Sequence, residues 1–331
     1  MPRSSAGSGR TCFLAAMAKT NFSEALTTTA FKGGSGDDTL NSDSGVDTAD
    51  FSDFQPPVGH SLLSGWNSNL TAGQAAFSTT LTPVVETDTL ISIKNVIGSG
   101  WGDTITANGS NNLIEAGGGN DIIIDPNNNS GDVFDGQAGV DTLISDLTWG
   151  DTVVLHMVNE QIEFSGNTRA TFRNIENLTI GGVADVGGDG ADNQIIVTDT
   201  VGFDGSNDND IDGGGGSDTI EAGIGNDSVD GGGGNDLIID NLDDDSTLLG
   251  SSGNDTLDLS GAAAGFVTDA STGMTSGGNT FAIGGFESLI GTDFSDLVTL
   301  DGVLNTAALG AGNDTMTGGV DVGSTSSMAA S

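Results

Sequence analysis

The chain has 331 residues, of which 54 are Gly and none is Tyr, and its 47 acidic and 7 basic residues give a formal charge of −40. This charge argues against nucleic acid and anionic membranes as partners, because both are bound through clustered Lys and Arg, and it favours a cation instead. The single cysteine, Cys12, excludes an intrachain disulfide, and no apolar run reaches the ~18 residues of a membrane-spanning segment.

Residues 1–32 differ from the rest of the chain, because they hold four of its seven basic residues. A basic start, an apolar stretch at 12–18 and the triplet Ala16-Met17-Ala18 are weak features of a signal peptide. A start at Met17, a tail and a docking segment remain alternatives. We predict a separate N-terminal arm that contacts an acidic neighbouring copy of the chain. Its apolar residues are Phe13, Leu14, Phe22, Leu26 and Phe31.

From Gly33 onward the chain repeats a nine-residue phrase rich in Gly and Asp. Three copies follow one another without a gap at 213–221, 222–230 and 231–239. Further copies lie at 33–41, 116–124, 136–144, 250–258 and 309–317, and looser ones at 98–106, 107–115, 127–135 and 291–299. High net charge with few aromatics is also typical of disordered chains, but this regular pattern argues against disorder.

The spacing of the phrase has a physical reason. Its last three residues predict a short strand with one inward aliphatic side chain, as at Ile220, Val229 and Ile238. Gly allows the left-handed backbone that a tight turn needs. If each turn of a two-sheet roll spans two phrases, Asp218 and Asp236 lie about one strand spacing (~4.8 Å) apart. Their carboxylates then repel by roughly 3 kcal/mol at an effective dielectric of ~20, so we expect the empty roll to be unfolded.

These phrases resemble the nonapeptide of RTX proteins, G-G-x-G-x-D-x-U-x with U aliphatic, a calcium-binding repeat of parallel β-helices. The resemblance covers most of residues 33–317. It implies an all-β fold, a right-handed parallel β-roll or β-solenoid with calcium-binding turns, interrupted by irregular β segments. It also implies type I secretion of an unfolded chain that folds on meeting calcium outside the cell.

We predict several Ca²⁺ ions between successive loops, held by Asp carboxylates and Gly carbonyls, because calcium takes six to eight oxygen ligands in flexible geometry. Zinc and copper are poorly served, since His60 and His156 are the only histidines. The candidate ligand residues of the tandem block are Gly213, Gly214, Gly216, Asp218, Gly223, Gly225, Asp227, Gly231, Gly232, Gly234 and Asp236. The others are Gly34, Gly36, Asp38, Asp103, Gly117, Gly119, Asp121, Asp132, Gly139, Asp141, Gly253, Asp255, Gly312 and Asp314.

Two alternatives to calcium binding stay open for single loops. An Asp in such a loop can instead cap its own turn through the backbone. In the copies 98–106 and 291–299, Trp101 and Phe294 replace the fourth-position Gly, and the segment 204–212 keeps almost none of the pattern. This predicts that the loops of these three segments bind nothing.

A longer period divides the chain into modules. Asp-Thr motifs at residues 47, 141 and 255 are each followed by a second shared motif, near Ile93, Ile175 and Phe286. Between the two motifs the Gly/Asp pattern lapses and β-branched residues alternate, which predicts solenoid turns or hairpins without calcium. We therefore predict the arm 1–32 and three β-roll modules at 33–144, 145–258 and 259–331, the last with a short tail.

Three classes of function differ in their support. Catalysis is not expected, because neither HExxH nor GxSxG occurs and only 32 residues precede the first repeat. Ligand recognition by an adhesin favours clustered aromatics, whereas Trp66, Trp101 and Trp149 are scattered and are interpreted as packing residues. We favour a secreted structural protein at the cell surface or in an extracellular assembly, such as an S-layer-like lattice, a filament or a coat.

Self-association is the favoured partnership, with another surface protein as the alternative. The last strong repeat ends close to Ser331, and a solenoid without a polar cap tends to stack on another copy. Outward aliphatics at Ile122, Ile124, Leu237 and Ile239 indicate a covered surface, which an intervening segment of the same chain could also cover. The alternative function is a non-catalytic RTX module or adhesin fragment of a larger secreted toxin or hydrolase.

Overall fold

The computed structural model describes residues 11–14, 21–24, 29–42, 45–54, 62–79, 86–109, 111–126, 131–146, 153–157, 161–164, 167–181, 184–198, 208–269, 273–299 and 306–317. All helical or strand structure in these residues is strand, which confirms the all-β prediction. Within the same ranges, no helix is long and apolar enough to cross a membrane.

The strands are short, and most of them end where a Gly- or Asp-rich loop begins. The first seventeen are β1 (Thr11–Leu14), β2 (Asn21–Glu24), β3 (Thr29–Lys32), β4 (Thr39–Ser42), β5 (Thr48–Asp50), β6 (Leu62–Asn69), β7 (Gln74–Thr79), β8 (Glu86–Ile91), β9 (Asn95–Ile97), β10 (Thr104–Thr106), β11 (Leu113–Gly118), β12 (Ile122–Asp125), β13 (Asp132–Ala138), β14 (Thr142–Asp146), β15 (Val153–His156), β16 (Gln161–Phe164) and β17 (Asn167–Arg173). The next nine are β18 (Asn177–Gly181), β19 (Ala184–Gly187), β20 (Gln194–Thr198), β21 (Asp210–Asp212), β22 (Thr219–Glu221), β23 (Ser228–Asp230), β24 (Gly233–Gly234), β25 (Leu237–Ile239) and β26 (Thr247–Leu249). The last nine are β27 (Ser252–Gly253), β28 (Thr256–Asp258), β29 (Phe266–Asp269), β30 (Gly273–Ser276), β31 (Asn279–Gly284), β32 (Ser288–Ile290), β33 (Leu297–Thr299), β34 (Thr306–Ala308) and β35 (Thr315–Thr317).

The chain divides into two compact units. One consists of Met1–Ile144 with Arg169–Ile175, and the other of Ser145–Thr168 with Glu176–Ser331. The three modules predicted at 33–144, 145–258 and 259–331 stay a prediction.

In the first unit, successive strands alternate between two mainly parallel sheets. One sheet has the order β1-β3-β5-β9-β11-β13-β17, with parallel pairing at every step. The other has the order β2-β4-β8-β7-β6-β10-β12. Its β6, β7 and β8 pair antiparallel, so the segment between two repeat strands forms a meander within the sheet.

The second unit has the same alternation. Strands β18-β20-β22-β25-β28-β32-β34 form one parallel series, and β15-β19-β21-β23-β26-β31 form another. In the tandem block Ile220 pairs with Ile238 and Ile211 with Val229, so one turn takes two nonapeptides. Antiparallel hairpins interrupt the series at β15–β16 and at β29–β30–β31.

The core is a thin column of the inward aliphatic residues predicted from the repeat. Their side chains are fully or almost fully buried at Ile105, Ile114, Ile123, Phe134, Leu143, Ile220, Val229, Ile238 and Leu257. Met316 is only half-buried. It lies on β35, which in the described part of the chain pairs with β33 alone. Each inward residue therefore depends on the turns above and below it for its burial.

Outward aliphatics differ from one another in exposure. Ile122 is 38 % exposed, whereas Ile124, Leu237 and Ile239 are half-buried. Leu237 lies between Thr219 and Thr256 in the sheet register. Because the described residues do not show what covers these side chains, the covered surface stays a prediction.

The tryptophans confirm the packing interpretation in one case and contradict it in another. Trp66 is buried and stacks on Phe51, with ring centroids 4.3 Å apart. Trp101 is 45 % exposed, so its interpretation as a packing residue is wrong. Trp101 lies in the loop 98–103, at the fourth position of the repeat, and not on a strand. Trp149 lies outside the described residues.

The N-terminal segment contributes strands before Gly33. Strand β1 pairs with β3, and β2 pairs with β4, both in parallel. Phe31 lies in β3 and is completely buried. It is therefore not available for contact with another copy, and its assignment to the contact surface of the arm is wrong. Leu26 lies outside the described residues.

Candidate metal centre

The loop 231–236, Gly-Gly-Gly-Gly-Asn-Asp, shows how the repeat builds its turn. Gly232 has φ 88° and Gly234 has φ 140°, so the second and fourth positions adopt a backbone that L side chains avoid. The same positive φ occurs at the corresponding glycines of other loops, namely Gly34, Gly36, Gly117, Gly119, Gly214, Gly216, Gly223, Gly225 and Gly312. Two of the four glycine positions therefore serve the turn.

The first-position glycine has a different role from the one predicted for glycines in general. Gly213 and Gly231 do not have positive φ. A Cβ atom on Gly231 would lie 2.7 Å from Oδ2 of Asp236. At Gly231 the carboxylate of the same loop thus occupies the space of a side chain, although Ala116 and Ala222 hold the first position in two other copies.

Four acidic residues of the second unit form a hydrogen-bonded series, which we call the carboxylate ladder. They are Asp218, Asp236, Asp255 and Glu287. The backbone N–H of Asn193 donates to Oδ1 of Asp218 at 2.8 Å, and that of Asp218 donates to Oδ1 of Asp236 at 2.9 Å. The N–H of Asp236 donates to Oδ1 of Asp255 at 2.9 Å, and that of Asp255 to Oε2 of Glu287 at 2.8 Å. One oxygen of each ladder carboxylate thus ties its loop to the preceding one.

The second oxygen of the ladder residues has no such partner. Oδ2 of Asp218, Asp236 and Asp255 is buried without a hydrogen-bond partner among the described residues. All three side chains are at most 2 % exposed. An ionised oxygen buried without a donor costs several kcal/mol. A cation bound next to these oxygens would therefore remove the largest part of this free-energy cost.

Backbone carbonyls of neighbouring loops face the same glycines. A Cβ on Gly213 would lie 2.6 Å from the carbonyl oxygen of Gly231, and one on Gly234 would overlap that of Gly216. The N–H of Gly233 donates to the carbonyl of Gly214 at 2.9 Å, which draws the loops together. The ligands available to a cation are therefore carboxylate and carbonyl oxygens, which are the ligands that calcium prefers.

The protonation of the ladder reflects the buried charge. The pKa of Asp218 is raised to about 7, mainly by burial, and the neighbouring carboxylate of Asp236 contributes in the same direction. Burial also raises the pKa of Asp236 and of Asp255 above the ordinary value. Without a cation, the fold therefore opposes full ionisation of its own loops at neutral pH.

The first unit holds a shorter series of the same kind. The N–H of Asp103 donates to Oδ1 of Asp121 at 2.6 Å, and that of Asp121 to Oδ1 of Asp141 at 2.8 Å. Oδ2 of Asp121 is buried without a partner among the described residues, and burial raises its pKa to about 7. A Cβ on Gly139 would overlap the carbonyl of Gly119, so these loops also lie in close contact.

The remaining predicted Asp ligands lie apart from these two series. Asp227 accepts the N–H of Asn209 at 2.8 Å and donates its own N–H to Oγ of Ser246 at 3.2 Å. The structure therefore does not bring Asp227 next to Asp218 or Asp236.

Three more predicted ligands lie at separate loops. Asp132 accepts the N–H of Asn112 at 2.7 Å, and Asp314 accepts that of Asp296 at 3.1 Å. Asp38 donates its N–H to Oδ1 of Asp88 at 2.9 Å. Among the described residues no three His, Cys, Asp or Glu side chains form a group that could hold a metal, so any ion here depends on carbonyl oxygens as well.

Comparison with known families agrees with this geometry. A model described as the RTX calcium-binding nonapeptide repeat (4 copies) matches residues 31–49, 97–124, 203–238, 242–262 and 305–321. The chain contains RTX repeats in these segments. Such repeats bind calcium and are typical of secreted proteins, and the matched segments include Asp218, Asp236 and Asp255 of the ladder. No curated protein matches the chain.

Two loops of the chain satisfy their own carboxylate, and we call 98–103 and 291–296 the closed loops. In the second of them, Thr292 donates its N–H to Oδ2 of Asp296 at 3.0 Å and its hydroxyl to Oδ1 at 2.9 Å. In the first, Ser99 donates both groups to Asp103, and the N–H of Trp66 donates to Oδ1 of Asp103 as well. Neither carboxylate has the buried oxygen without a partner that marks the ladder.

The nonapeptide pattern alone misses three acidic residues that lie against RTX loops. These are Glu86, Asp88 and Glu287, which lie outside the segments matched by the repeat model. A signal was present in the sequence, because Asp88-Thr89-Leu90 repeats the Asp-Thr-Leu of residues 38–40 and 255–257, and Glu287-Ser288-Leu289 is a conservative variant. The glycines that precede this triplet in a regular repeat are missing.

Proposed function

We propose that the protein is an extracellular calcium-binding structural protein, a right-handed β-roll that folds and assembles as calcium fills the spaces between its loops. The observation that carries the proposal is the carboxylate ladder, in which Oδ2 of Asp218, Asp236 and Asp255 is buried without a partner among the described residues. Calcium next to these oxygens converts an unfavourable burial into a bond between successive turns.

The expected affinity supports an extracellular setting. Calcium modules that work outside cells typically bind at ~10⁻⁴ to 10⁻³ M, which is too weak for filling at cytosolic calcium levels. The ladder fits this range, since each of its loops offers one carboxylate and otherwise carbonyl oxygens. Folding is then coupled to arrival in a calcium-rich medium.

Charge supports a link between calcium and assembly. At a formal charge of −40, copies of the chain repel one another at low ionic strength. Bound calcium lowers this repulsion and lets the outward aliphatic side chains, of which Ile122 is 38 % exposed, come together. In this proposal the protein has a mechanical role at a surface or in an extracellular lattice and no catalytic one.

A calcium titration of the chelated full-length chain tests the proposal, followed by far-UV circular dichroism and light scattering together. We expect a cooperative gain of β signal accompanied by growing particle size. A β signal without growth would support the non-catalytic module of a larger secreted protein instead. A chain that does not respond to calcium at all contradicts the proposed function.

A further inference from the structure

The loop 33–38 packs against a strand that comes fifty residues later and has no repeat of its own. The N–H of Asp38 donates to Oδ1 of Asp88 at 2.9 Å, and the N–H of Thr87 donates to Oδ1 of Asp37 at 3.0 Å. The N–H of Thr89 donates to the carbonyl of Asp38 at 2.8 Å. The first residues of β8 thus take the place that the next RTX loop has in the ladder.

The carboxylates of β8 are buried and turned toward this loop. Asp88 is 1 % and Glu86 is 6 % exposed. Oδ2 of Asp88 and Oε1 of Glu86 are buried with no hydrogen-bond partner in the described part of the chain. The Glu86 carboxylate accepts one hydrogen bond from the backbone of Gly36, which holds it beside the loop.

Two of the carboxylate oxygens converge on Gly33. A Cβ atom there would lie 2.7 Å from Oδ2 of Asp88 and 3.1 Å from Oδ2 of Asp38. Because Gly33 has no side chain, a space remains next to it, and Oδ2 of Asp38 from the same loop and Oδ2 of Asp88 from β8 both border this space. This is the relation that the first glycine has to its carboxylate in the ladder, with a second carboxylate added.

The ion pairs that Lys32 and Arg173 form in the described part of this unit do not involve Asp38, Glu86 or Asp88. Lys32 pairs with Asp50 and Asp53, and Arg173 pairs with Asp135. A hard divalent cation is the ligand that matches carboxylate and carbonyl oxygens in a buried position without basic residues.

We propose that Asp88 and Asp38 hold a calcium ion beside Gly33, with Glu86 supplying a third negative charge next to it. The nonapeptide pattern does not mark this site, because half of it comes from a non-repeat strand. The inference rests on the calcium binding proposed above and adds one ion to it. Since calcium affinity rises with the charge of the site, we expect this ion to bind on the order of tenfold more tightly than those of the ladder.

Calorimetric calcium titration of full-length variants tests the site. We expect Asp88→Asn to lower the calcium stoichiometry by one and to remove the tightest binding step, and Glu86→Gln to keep the ion but weaken it several-fold. Asp210→Asn serves as the control, because it removes the same charge from an exposed position of β21 and should change neither quantity. Unchanged stoichiometry and affinity in Asp88→Asn would overturn the inference while leaving the proposed function intact.

A second measurement uses the unaltered protein and does not depend on a variant that folds. Substoichiometric Gd³⁺ that displaces calcium from the folded, calcium-loaded chain should first broaden the amide NMR signals of Gly36, Thr87 and Thr89. If the signals of residues 213–236 broaden first and those three stay sharp to saturation, the site is refuted. A wild-type chain that binds no calcium refutes the proposed function instead, so the two failures are distinguishable.

Discussion

The loops 231–236 and 291–296 have the same first and sixth residues, Gly and Asp, but they use the Asp in opposite ways. In the first, Gly232 and Gly234 leave Oδ2 of Asp236 buried without a partner in the described structure. In the second, Thr292 donates its N–H and its hydroxyl to Asp296. A Ser or Thr at the second position together with an aromatic residue at the fourth thus goes with a loop that closes on its own Asp. Ser251 alone does not close its loop, because Gly253 keeps the fourth position and Oδ2 of Asp255 is buried without a partner in the described structure.

In the first unit, the loop 98–103 also has a hydroxyl residue in place of the second-position Gly, and it also closes on its own Asp. Ser99 has the second position of 98–103 and donates both its N–H and its hydroxyl to Asp103. Burial raises the pKa of Asp103 to about 6, whereas it raises that of Asp121, in a glycine loop, to about 7. Both pKa values are thus raised by burial. In Asp103 the hydrogen bonds from Ser99 and Trp66 oppose this effect, since they stabilise the ionised form, whereas the neighbouring carboxylates of Asp103 and Asp141 raise the pKa of Asp121.

The largest effect is expected from pH, because it acts on all glycine loops at once. The folded pKa of Asp121 and Asp218 is raised from 3.8 to about 7, so their protonated form stabilises the calcium-free fold below about pH 4. This contribution is lost as the pH rises through 7. We expect the calcium-free chain to show β signal near pH 4 in far-UV circular dichroism and to lose it toward pH 8.

With saturating calcium the sign reverses, because the ligands must be ionised to bind the ion. The gain in β signal that calcium produces should therefore grow over the same pH range. A calcium-free β signal that grows toward pH 8 would show that the buried carboxylates do not control the stability of the loops.

The next largest effect is expected from Asp236→Asn, at the centre of the ladder. The amide oxygen still accepts the N–H of Asp218, but the charge that attracts calcium is lost. With free calcium at 100 times the dissociation constant, one lost site corresponds to about 2.7 kcal/mol of unfolding free energy. In calcium-free buffer near pH 5, where protonated carboxyls support the fold, the same variant should be no less stable than the wild type, because its amide carries no charge next to Asp255.

Denaturant unfolding of Asp236→Asn in the two buffers measures this reversal, with Asp210→Asn as the matched control. Asp210 is exposed on β21, so its replacement should have little effect in either buffer. Equal destabilisation of Asp236→Asn with and without calcium would mean that the side chain acts through its hydrogen bond alone.

The repeat period was sufficient to predict the inward side chains, the two nonapeptides per turn and the pairing of Asp218 with Asp236. These features follow from contacts within one or two turns. The role of Asp88 could not be predicted in this way, because Asp88 lies fifty residues after Asp38 in the sequence and reaches the loop 33–38 only through the meander of β6, β7 and β8. The closure by Thr292 requires the direction of a hydroxyl group, which spacing does not give.

A smaller effect is expected when a closed loop is converted into a glycine loop by Thr292→Gly with Phe294→Gly. Loss of the hydroxyl bond from Thr292 should cost about 1 kcal/mol of unfolding free energy in calcium-free buffer near pH 5. Phe294 is 47 % exposed, so its removal adds little. The double variant should bind one more calcium ion than the wild type in a calorimetric titration.

Thr292→Ser is the matched control for this conversion, because it keeps the hydroxyl and should keep both the stability and the stoichiometry. An unchanged calcium count in the double variant would contradict the idea that the second and fourth positions together select between the two kinds of loop.

The smallest effect is expected at Gln137, which has the second position of the loop 136–141. Its φ of 70° is left-handed although the residue is not Gly, and its side chain is exposed. This backbone costs a non-Gly residue about 1–2 kcal/mol, whereas Gly loses about 0.5–1 kcal/mol through its freedom in the unfolded chain. Gln137→Gly should therefore stabilise the protein by about 0.5–1 kcal/mol.

Gln74→Gly provides the opposite case within the same unit. Gln74 is exposed in β7 without positive φ, so the same exchange should destabilise the protein by about 0.5–1 kcal/mol. Urea unfolding in saturating calcium measures both variants. Opposite signs would show that the second position is selected for its backbone even in a loop that has lost its glycine. Equal signs would mean that the turn of 136–141 tolerates Gln137 without strain.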